Sequence, residues 1–349
     1  MKKIISVCLT ALTVIALVAG CGAGQRAGES GGLTTIRVGT EKVTSDAGIF
    51  LADRLGYFKE AGIQIDYQRL NDAPSITNAL ATGHLEVAGA SLAPGVFSAL
   101  NRDIEIRVVG DKQSSRPGVS ATQFAVRSEY ARPTLDATLQ ALRGKKIAVH
   151  SKLSIQVFML SNFLQRHGMS LSDFQVTPVL SPDQIGALKG NSVDAAVMLE
   201  PYLTEAVEAG IVKPASDLTE AAPPDGEVLT GLLYGKELLE NRQLGTAFMV
   251  AYMRGVRAYN DAMFHDKNKQ QAEQIIADES NTPLDLVQKT NPSGLDPEQR
   301  LDPAYLDRLQ QFYVQQGTLT KAVKSTDVID TSYADAARTQ LGPYKPPAP

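Results

Sequence analysis

The chain has 349 residues, of which 43% are hydrophobic and 21% are charged, and this composition is ordinary for a globular protein of one large or two modest domains. Its formal net charge of -4 argues against nucleic acid as a partner, because proteins that bind nucleic acid favour basic surfaces. Its cysteines, Cys8 and Cys21, both stand near the N-terminus, so the rest of the chain offers no thiol for a disulfide, an iron–sulfur cluster or nucleophilic catalysis.

The N-terminus has the features of an export signal. Lys2 and Lys3 precede an apolar run that is shorter than the about 20 residues a membrane-spanning helix needs. The run ends in VAGC at 18–21, which resembles a lipobox, the site at which a lipoprotein signal is cut. We expect a signal peptide over 1–20, a lipid on Cys21 and a location outside the cytoplasm, anchored to the cell membrane. The alternatives are a plain secretory signal and a core helix that happens to hold a cysteine.

Both ends of the remaining chain predict irregular structure. Residues 21–33 are rich in glycine and polar residues, which predicts a flexible tether. Residues 341–349 are rich in proline, which cannot continue a helix. Loss of Lys2 and Lys3 with the signal would leave a mature chain near -6, so nucleic acid stays excluded as a partner.

After the tether, strands and helices alternate in the pattern of a mostly parallel sheet with helices on both faces. Leu51, Leu55 and Phe58 recur at helical spacing. Ser75 is expected to cap a second helix, which Gly83 ends. The predicted elements of this part are strands over 36–39, 63–67, 85–88 and 104–109, and helices around 51–58 and 75–82.

A second set of elements begins near residue 135 and repeats the arrangement. ALKGNSVDAA at 187–196 resembles ALATGHLEVA at 79–88, with the gaps shifted by one residue. Both segments predict a helix end, a glycine stop and a buried strand opened by an acidic residue, which fits two similar α/β lobes. The predicted elements are helices over 135–142, 154–167 and 183–189, and strands over 146–149, 175–179 and 193–198.

The C-terminal third is predicted to be helical. Phe248, Tyr252, Val256 and Tyr259 recur at helical spacing within 244–265, a segment without proline. We interpret this aromatic stripe as core packing rather than as a ligand site. Two further helices are predicted around 268–278 and 303–316.

Four segments resemble, in order, the motifs of one family. They are GIFLADRLGYFKEAGI at 48–63, ALATGHLEVA at 79–88, LRGKKIAV at 142–149 and MLEPY at 198–202. They are similar to the A-x-x-x-G-Y-F-x-x-x-G-I/L, A-L-x-x-G-x-x-D-x-A, L-k-G-K-k-I-a-v and E-P elements of nitrate/sulfonate/taurine-type substrate-binding proteins of ABC transporters, which include thiamine-pyrimidine binders. The resemblance covers roughly residues 34–320. One departure is that many members place an aromatic residue, often tryptophan, beside the Glu-Pro element, where this chain has methionine and leucine.

The resemblance implies a two-lobed α/β fold of the periplasmic-binding-protein-like type II. Each lobe would be a mostly parallel sheet flanked by helices, with two crossing strands near 122–127 and 228–234. The first lobe would hold 34–122 plus 235–340, and the second lobe 125–230.

The same resemblance implies a solute-binding component of an ABC importer. It would capture a small organic, anionic solute, such as a sulfonate, a taurine-like or an aromatic/pyrimidine compound, between its lobes and deliver it to permease subunits. We expect a monomer that meets the membrane through its lipid anchor alone, that binds no cofactor and that is not an enzyme.

Polar loops at the carboxyl ends of the predicted strands form the candidate site, because open α/β sheets bind ligands there. Hydroxyls at helix starts suit an anion, although each serine could instead cap its helix and each charged loop residue could be merely solvated. Glu200 is the strongest acidic candidate, since it ends an apolar run and precedes a proline. Mixed charges favour an organic ligand with both donors and acceptors. The predicted ligand-binding residues are Lys42, Thr44, Ser45, Asp46, Asn71, Asp72, Ser91, Asp111, Lys112, Ser151, Ser154 and Glu200.

Two other functions remain open. An enzyme on the same fold, like the pyrimidine synthase that resembles these binders, would need a cysteine- and histidine-rich motif with pyridoxal phosphate. This chain lacks a thiol after Cys21, and it shows no G-x-S-x-G motif and no phosphate-binding loop. A structural or adhesin lipoprotein would not need aligned polar loops in two lobes. No metal site is expected, because the spacing of the histidines is not that of metal ligands; they are His84, His150, His167 and His265.

Overall fold

The computed structural model describes residues 32–347 except for 71, 221 and 223–225. The predicted signal peptide, Cys21 and nearly all of the predicted tether therefore lie outside the described residues, as does Asn71. Within the described part of the chain, no helix has both the length and the apolar character that a membrane crossing requires.

Ten strands form two five-stranded sheets among the described residues. The first sheet has the order β2-β1-β3-β10-β4 and the second the order β7-β6-β8-β5-β9. The strands are β1 (Thr34–Thr40), β2 (Ile63–Arg69), β3 (Val87–Ser91), β4 (Ile106–Ser115), β5 (Thr122–Arg127), β6 (Lys146–Val149), β7 (Gln175–Pro178), β8 (Ala195–Leu199), β9 (Val212–Ser216) and β10 (Glu227–Gly235).

The two sheets have the same internal plan. In the first, β1 pairs in parallel with β2 and β3, and β10 lies antiparallel between β3 and β4. In the second, β6 pairs in parallel with β7 and β8, and β5 lies antiparallel between β8 and β9. The similar segments 79–88 and 187–196 lead into β3 and β8, which occupy equivalent positions, so the sequence echo corresponds to a repeat of topology.

Helices flank both sheets, and each sheet with its helices forms one lobe. The longest helix, α10, packs on α1 along the first sheet. The helices are α1 (Ala47–Arg54), α2 (Tyr57–Glu60), α3 (Ala73–Ala81), α4 (Pro94–Leu100), α5 (Leu135–Ala141), α6 (Ile155–Arg166), α7 (Gln184–Lys189), α8 (Tyr202–Glu208), α9 (Lys236–Glu240), α10 (Arg242–His265), α11 (Lys269–Ser280), α12 (Leu284–Val287), α13 (Pro303–Gln315), α14 (Ser325–Val328) and α15 (Ser332–Leu341). The two-lobed α/β fold with mostly parallel sheets is confirmed.

The chain passes from the first sheet to the second between β4 and β5 and returns between β9 and β10. The strand that follows each crossing is the antiparallel member of the sheet it enters: β5 in the second sheet and β10 in the first. The lobes also meet through helices: Phe158 of α6 packs on Tyr305 and Phe312 of α13, with ring centres 6.1 and 5.3 Å apart.

The aromatic stripe of α10 lies in the core, as predicted: Phe248, Tyr252, Val256 and Tyr259 are all buried. The helix crosses α1 at very short range, because a Cβ at Gly255 would stand 2.3 Å from the carbonyl oxygen of Gly48. Glycine is therefore required at this crossing, and any side chain there would force the helices apart.

Several predicted boundaries and one predicted cap were wrong, and the helix predicted around 51–58 is divided into α1 and α2 at Gly56, whose φ is 82°. The strand predicted over 104–109 spans Ile106–Ser115, because β10 continues to pair with it as far as Glu227 opposite Ser115. The strand predicted from residue 85 begins at Val87. The helix expected to be capped by Ser75 begins at Ala73, and its cap is Asp72, whose carboxylate accepts a hydrogen bond from the Ser75 amide at 2.7 Å. Either a serine hydroxyl or an aspartate carboxylate can cap the start of a helix. Here Asp72 is the cap, because its backbone has the extended conformation that a cap residue needs.

Candidate functional site

A cavity of about 500 Å³ lies between the two lobes. Its first-lobe wall follows the carboxyl ends of β1 and β3, and its second-lobe wall follows those of β6 and β8. Open α/β sheets bind ligands at this edge. The lining residues are Glu41, Val43, Ser45, Asp72, Pro74, Thr77, Gly89, Ser91, Ala93, Gly95, Lys112, Gln113, Thr122, His150, Ser151, Leu153, Ser154, Ile155, Gln156, Met159, Leu180, Ser181, Leu199, Leu229 and Thr230.

A larger surface groove, of about 960 Å³, lies at the opposite edge of the first sheet. Its walls come from the segments before β3 and β4 and from the turn after β10. Because the parallel strands begin at this edge, it is not where such a sheet presents ligand-binding loops. The cavity between the lobes is therefore the candidate site.

The structure brings six of the predicted site residues to this cavity: Ser45, Asp72, Ser91, Lys112, Ser151 and Ser154. Five other predicted residues do not line it: Lys42, Thr44, Asp46, Asp111 and Glu200. The remaining one, Asn71, lies outside the described residues.

Lys42 and Thr44 point away from the cavity. The Lys42 ammonium forms an ion pair with Glu279 at 3.3 Å and stands 4.9 Å from the centre of the Tyr67 ring. Thr44 lines a separate cavity of about 90 Å³ together with Asn291. Both residues follow β1, as predicted, but the turn between them directs their side chains to the outer side of the loop.

Asp111 is a buried structural carboxylate on β4. It accepts hydrogen bonds from the Ser114 hydroxyl at 2.8 Å and from the Asp296 amide at 2.7 Å, and thus ties β4 to the segment after α12. Burial raises the pKa of Asp111 to about 7, although these hydrogen bonds lower it.

Glu200 joins the two lobes instead of facing the cavity. Its carboxylate accepts from the Thr204 amide at 3.1 Å within the second lobe, and from the backbone and side-chain nitrogens of Asn291, at 3.1 and 2.6 Å, in the first. A second bridge between the lobes pairs Lys289 with Glu208 at 2.6 Å. Glu200 was predicted to bind the ligand, but it does not line the cavity and the partners of its carboxylate are protein groups.

A buried ion pair forms the base of the first-lobe wall. The Lys112 ammonium lies 2.6 Å from Asp46 Oδ1 and donates to the Ser45 hydroxyl at 3.1 Å. The other carboxylate oxygen of Asp46 accepts from the Thr40 hydroxyl and the Val43 amide, both at 2.9 Å. The charge of Lys112 is therefore already balanced, and its ammonium is held in one place.

Glycine on a neighbouring strand makes room for this lysine. A Cβ at Gly89 of β3 would stand 3.1 Å from Lys112 Cε and 3.3 Å from Cδ. The aliphatic part of Lys112 therefore lies across the sheet over Gly89, which brings its ammonium to the cavity although the residue itself is only 4% exposed.

Glu41 adds a second carboxylate to this wall. It follows β1 directly and is half-buried. Burial raises the pKa of Glu41 to about 7; Lys112 lowers it, and the negative charges of Asp46 and Asp72 raise it further. A solute in the cavity thus meets a carboxylate that is partly protonated near neutral pH.

The second-lobe wall is uncharged and rich in donors. It contains the start of α6, where the first amides of a helix have no intrahelical acceptor. The Ser154 hydroxyl does not cap this helix; it donates to the Ser151 carbonyl at 2.7 Å. The start of α6, with its partial positive charge, therefore lies at the cavity wall, where Ile155 and Gln156 line it.

His150 belongs to the same wall. Its Nδ1 accepts a hydrogen bond from the Ser181 amide at 3.3 Å and lies 3.0 Å from the Ser181 hydroxyl. Burial lowers the pKa of His150, so the ring is neutral at neutral pH. With Nδ1 an acceptor, the proton is on Nε2, which makes that nitrogen a donor.

Several lining residues were missed by the sequence reasoning. Glu41 and His150 follow β1 and β6, at the strand ends where ligands were expected, but neither is among the predicted ligand-binding residues. Gln113 and Thr230 were missed for another reason. They lie on β4 and β10, whose paired register could not be read from the local pattern.

The fold is a two-lobed α/β architecture with a cavity between its lobes, and comparison with known proteins gives the family. A model of the family described as NMT1/THI5 like matches residues 43–263, more than half of the chain. The chain belongs to this family.

Individual relatives are more distant. A Bacillus subtilis (strain 168) protein that carries the name "Putative aliphatic sulfonates-binding protein" is 28% identical over 197 residues, which is 55% of this chain. The chain thus spans about half, 56%, of the length of that curated relative.

Solved structures share the fold at low identity. The alkanesulfonate-binding protein SsuA of Xanthomonas axonopodis pv. citri, bound to MOPS, aligns with a TM-score of 0.67 at 17% identity, over 86% of this chain and 99% of that one. The desulfurization enzyme DSZB aligns with a TM-score of 0.62 at 16% identity, over 88% and 99% of the two chains. The architecture therefore occurs in both binding proteins and an enzyme.

Proposed function

We propose that this protein is the solute-binding component of an ABC importer and that it holds a small organic solute in the cavity between its lobes. The observation that supports this proposal is the cavity itself. It lies at the carboxyl ends of the parallel strands of both sheets, and polar groups are held in place on both of its walls. A solute that touches both walls stabilises the arrangement in which the lobes are close together.

The lining supports an organic solute rather than a bare inorganic ion. Apolar side chains from both lobes cover much of the cavity, and they would pack on a carbon skeleton. The start of α6 supports an acidic or otherwise electron-rich group at the second-lobe end. The relatives named for sulfonates fit this picture, and sulfonates, taurine-like and aromatic compounds are the first candidates. The apolar lining residues are Val43, Pro74, Ala93, Leu153, Ile155, Met159, Leu180, Leu199 and Leu229.

We propose binding without turnover. The nearest approach to a catalytic pair in the cavity is Ser181 with His150, and there the serine amide already donates to the same Nδ1 that would have to accept the hydroxyl proton. Among the described residues, no group of three histidine, cysteine or acidic side chains is arranged to hold a metal ion.

The remaining parts of the proposal concern the cell. A lipid on Cys21 would anchor the protein outside the cytoplasm, the segment 21–33 would give it reach, and a monomer would present its solute to permease subunits. The proposed first lobe comprises 34–122 plus 235–340, and the proposed second lobe comprises 125–230.

A thermal-shift screen tests the proposal. Sulfonates, carboxylates, amines, amidines and aromatic heterocycles would be added to the purified chain without its signal segment. A true solute at 100 times its Kd should stabilise the fold by about 2.7 kcal/mol, which raises the melting temperature by several degrees. Chemical conversion of that compound by the protein, detected by mass spectrometry, would favour an enzyme instead.

A further inference from the structure

We propose that Glu41 is a specificity-determining residue of the cavity and that it selects solutes carrying a cationic nitrogen group with hydrogen-bond donors, an amine or an amidine, at the first-lobe end. This inference rests on the proposed function, because it names the class of solute that the same cavity takes.

The Glu41 side chain is accessible to a solute in the cavity. Its side chain lines the cavity and is half-buried rather than facing bulk solvent. Within the described part of the chain, the influences on its carboxyl group are burial and the charges of neighbours, with no hydrogen bond among them. No donor among the described residues offsets the desolvation of this carboxylate.

The neighbouring Lys112 does not supply the missing donor to Glu41. Lys112 lies 2.6 Å from Asp46 and also donates to Ser45, so its ammonium is held at the base of the wall by groups other than Glu41. Asp46 takes up the positive charge locally. Lys112 lowers the proton affinity of Glu41 only through space, and this influence is smaller than that of burial.

The neighbours of Glu41 in the first lobe include two further acids. Asp46 and Asp72 are its acidic neighbours in the first lobe, and both make it harder for Glu41 to ionise. The neutral His150 lines the opposite wall. Tyr202 of the second lobe is not part of the lining; its pKa is raised chiefly by burial and also by the charge of Glu41, and is lowered by Arg69. The charged side chains that line the first-lobe wall are therefore Glu41, Asp72 and Lys112, and the charge of Lys112 is already balanced by Asp46.

A cationic donor is the group that such an end recognises. A nitrogen group that donates to Glu41 would restore the hydrogen bonds the carboxylate lost on burial, and its positive charge would balance the local excess of acid. A carboxylate or sulfonate placed at the same end would meet like charge instead. The acidic group that the start of α6 favours would have to lie at the other end of the cavity.

The test uses matched probes of similar size. Benzamidine, benzamide and benzoate share a phenyl ring and differ in the attached group. That group is a cation with hydrogen-bond donors in benzamidine, a neutral amide in benzamide and an anion in benzoate. Their affinities for the protein are measured by calorimetry at pH 8, where Glu41 is ionised, for the wild type and for Glu41→Gln. Glu240→Gln is the control, since it removes the same charge from an exposed position at the opposite edge of the first sheet.

The wild type and the control should bind benzamidine more tightly than benzoate. Glu41→Gln should weaken benzamidine binding about tenfold or more, because a charged hydrogen bond is lost, and should leave benzoate binding unchanged or stronger. Wild-type binding of benzoate but not of benzamidine would leave the proposed function standing and overturn this inference. An equal loss for all three probes would also overturn it, since that result indicates a structural role for Glu41.

Discussion

The two walls of the cavity are built on different principles. The first-lobe wall is charged: Lys112 and Asp46 neutralise each other below it, and Glu41 and Asp72 add negative charge. The second-lobe wall is uncharged and contains the start of α6 and the ring of His150. Although the two sheets share one plan, their strand-end loops differ in chemistry, so one solute can be recognised by charge on one side and by hydrogen-bond donors on the other.

Breaking the buried pair of the first-lobe wall should have the largest effect. Lys112→Met leaves the Asp46 carboxylate buried without its cation, which should lower the free energy of unfolding by about 3–5 kcal/mol. Denaturation in urea measures this loss. Adding Asp46→Asn to the same chain should restore most of it.

The matched control is Lys42→Met, which breaks a more exposed pair with Glu279 on the other side of the same loop. Its effect should stay within about 1 kcal/mol. A loss for Lys112→Met no larger than that of the control would contradict the account of the first-lobe wall.

The pH dependence of stability tests the buried acids of the first lobe. The pKa of Asp111 is raised to about 7 in the folded protein, while an unfolded chain has about 3.9. The folded state therefore keeps a proton that the unfolded state releases, and stability should fall as pH rises from about 4 to about 7. Glu41 and Glu227, also raised to about 7, act in the same direction.

Asp111→Asn should reduce the difference in unfolding free energy between pH 5 and pH 8 by about 1–3 kcal/mol. Asp66→Asn, at an exposed position on β2, should leave the difference as in the wild type. If Asp111→Asn shows the wild-type pH profile, the Asp111 carboxyl does not titrate in this range and its raised pKa is wrong.

Unlike the residues that line the cavity, Glu200 forms hydrogen bonds with groups of both lobes. Glu200→Ala leaves the Thr204 and Asn291 amides without their acceptor and should destabilise the fold by about 1–3 kcal/mol. Glu208→Ala, which breaks the exposed bridge to Lys289, should cost less than about 1 kcal/mol. Equal and negligible effects in urea denaturation would show that Glu200 does not join the lobes.

Ser91→Ala should have the smallest effect. The Ser91 hydroxyl is buried in the cavity wall and has no hydrogen-bond partner among the described residues. Removing it should leave stability within about 0.5 kcal/mol, and it should weaken binding of the strongest compound from the solute screen by no more than about tenfold. A large loss of stability would mean that the hydroxyl has a protein partner after all.

The architecture could be predicted because hydrophobic periodicity and glycine stops are local signals. The helix end and strand start at 79–88 and 187–196 were correctly placed to within a residue or two, and the stripe of α10 was correctly assigned to the core. The loops selected by the strand-end rule contribute residues to the cavity between the lobes, since the rule depends on the direction of parallel strands alone.

Which side chain of a loop faces the cavity could not be predicted. Glu41 and Lys42 are adjacent, yet one lines the cavity and the other pairs with Glu279, because a single residue of turn decides the direction. Asp111 and Glu200 look like ligand-binding acids in sequence; their partners, Asp296 and Asn291, are distant in the chain and become visible only when it is folded.

Blocking the cavity is the most direct test of the central claim that solute is held between the lobes. Thr230 lies on β10 beside Ser91 and Gln113 and lines the cavity, so Thr230→Phe would place a ring inside it. The strongest compound from the solute screen is titrated by calorimetry into the wild type, Thr230→Phe and Val207→Phe, the last at an exposed position on α8 outside the cavity. The account predicts wild-type affinity for Val207→Phe and a loss of about 100-fold or more for a folded Thr230→Phe, whereas wild-type affinity in Thr230→Phe would contradict it.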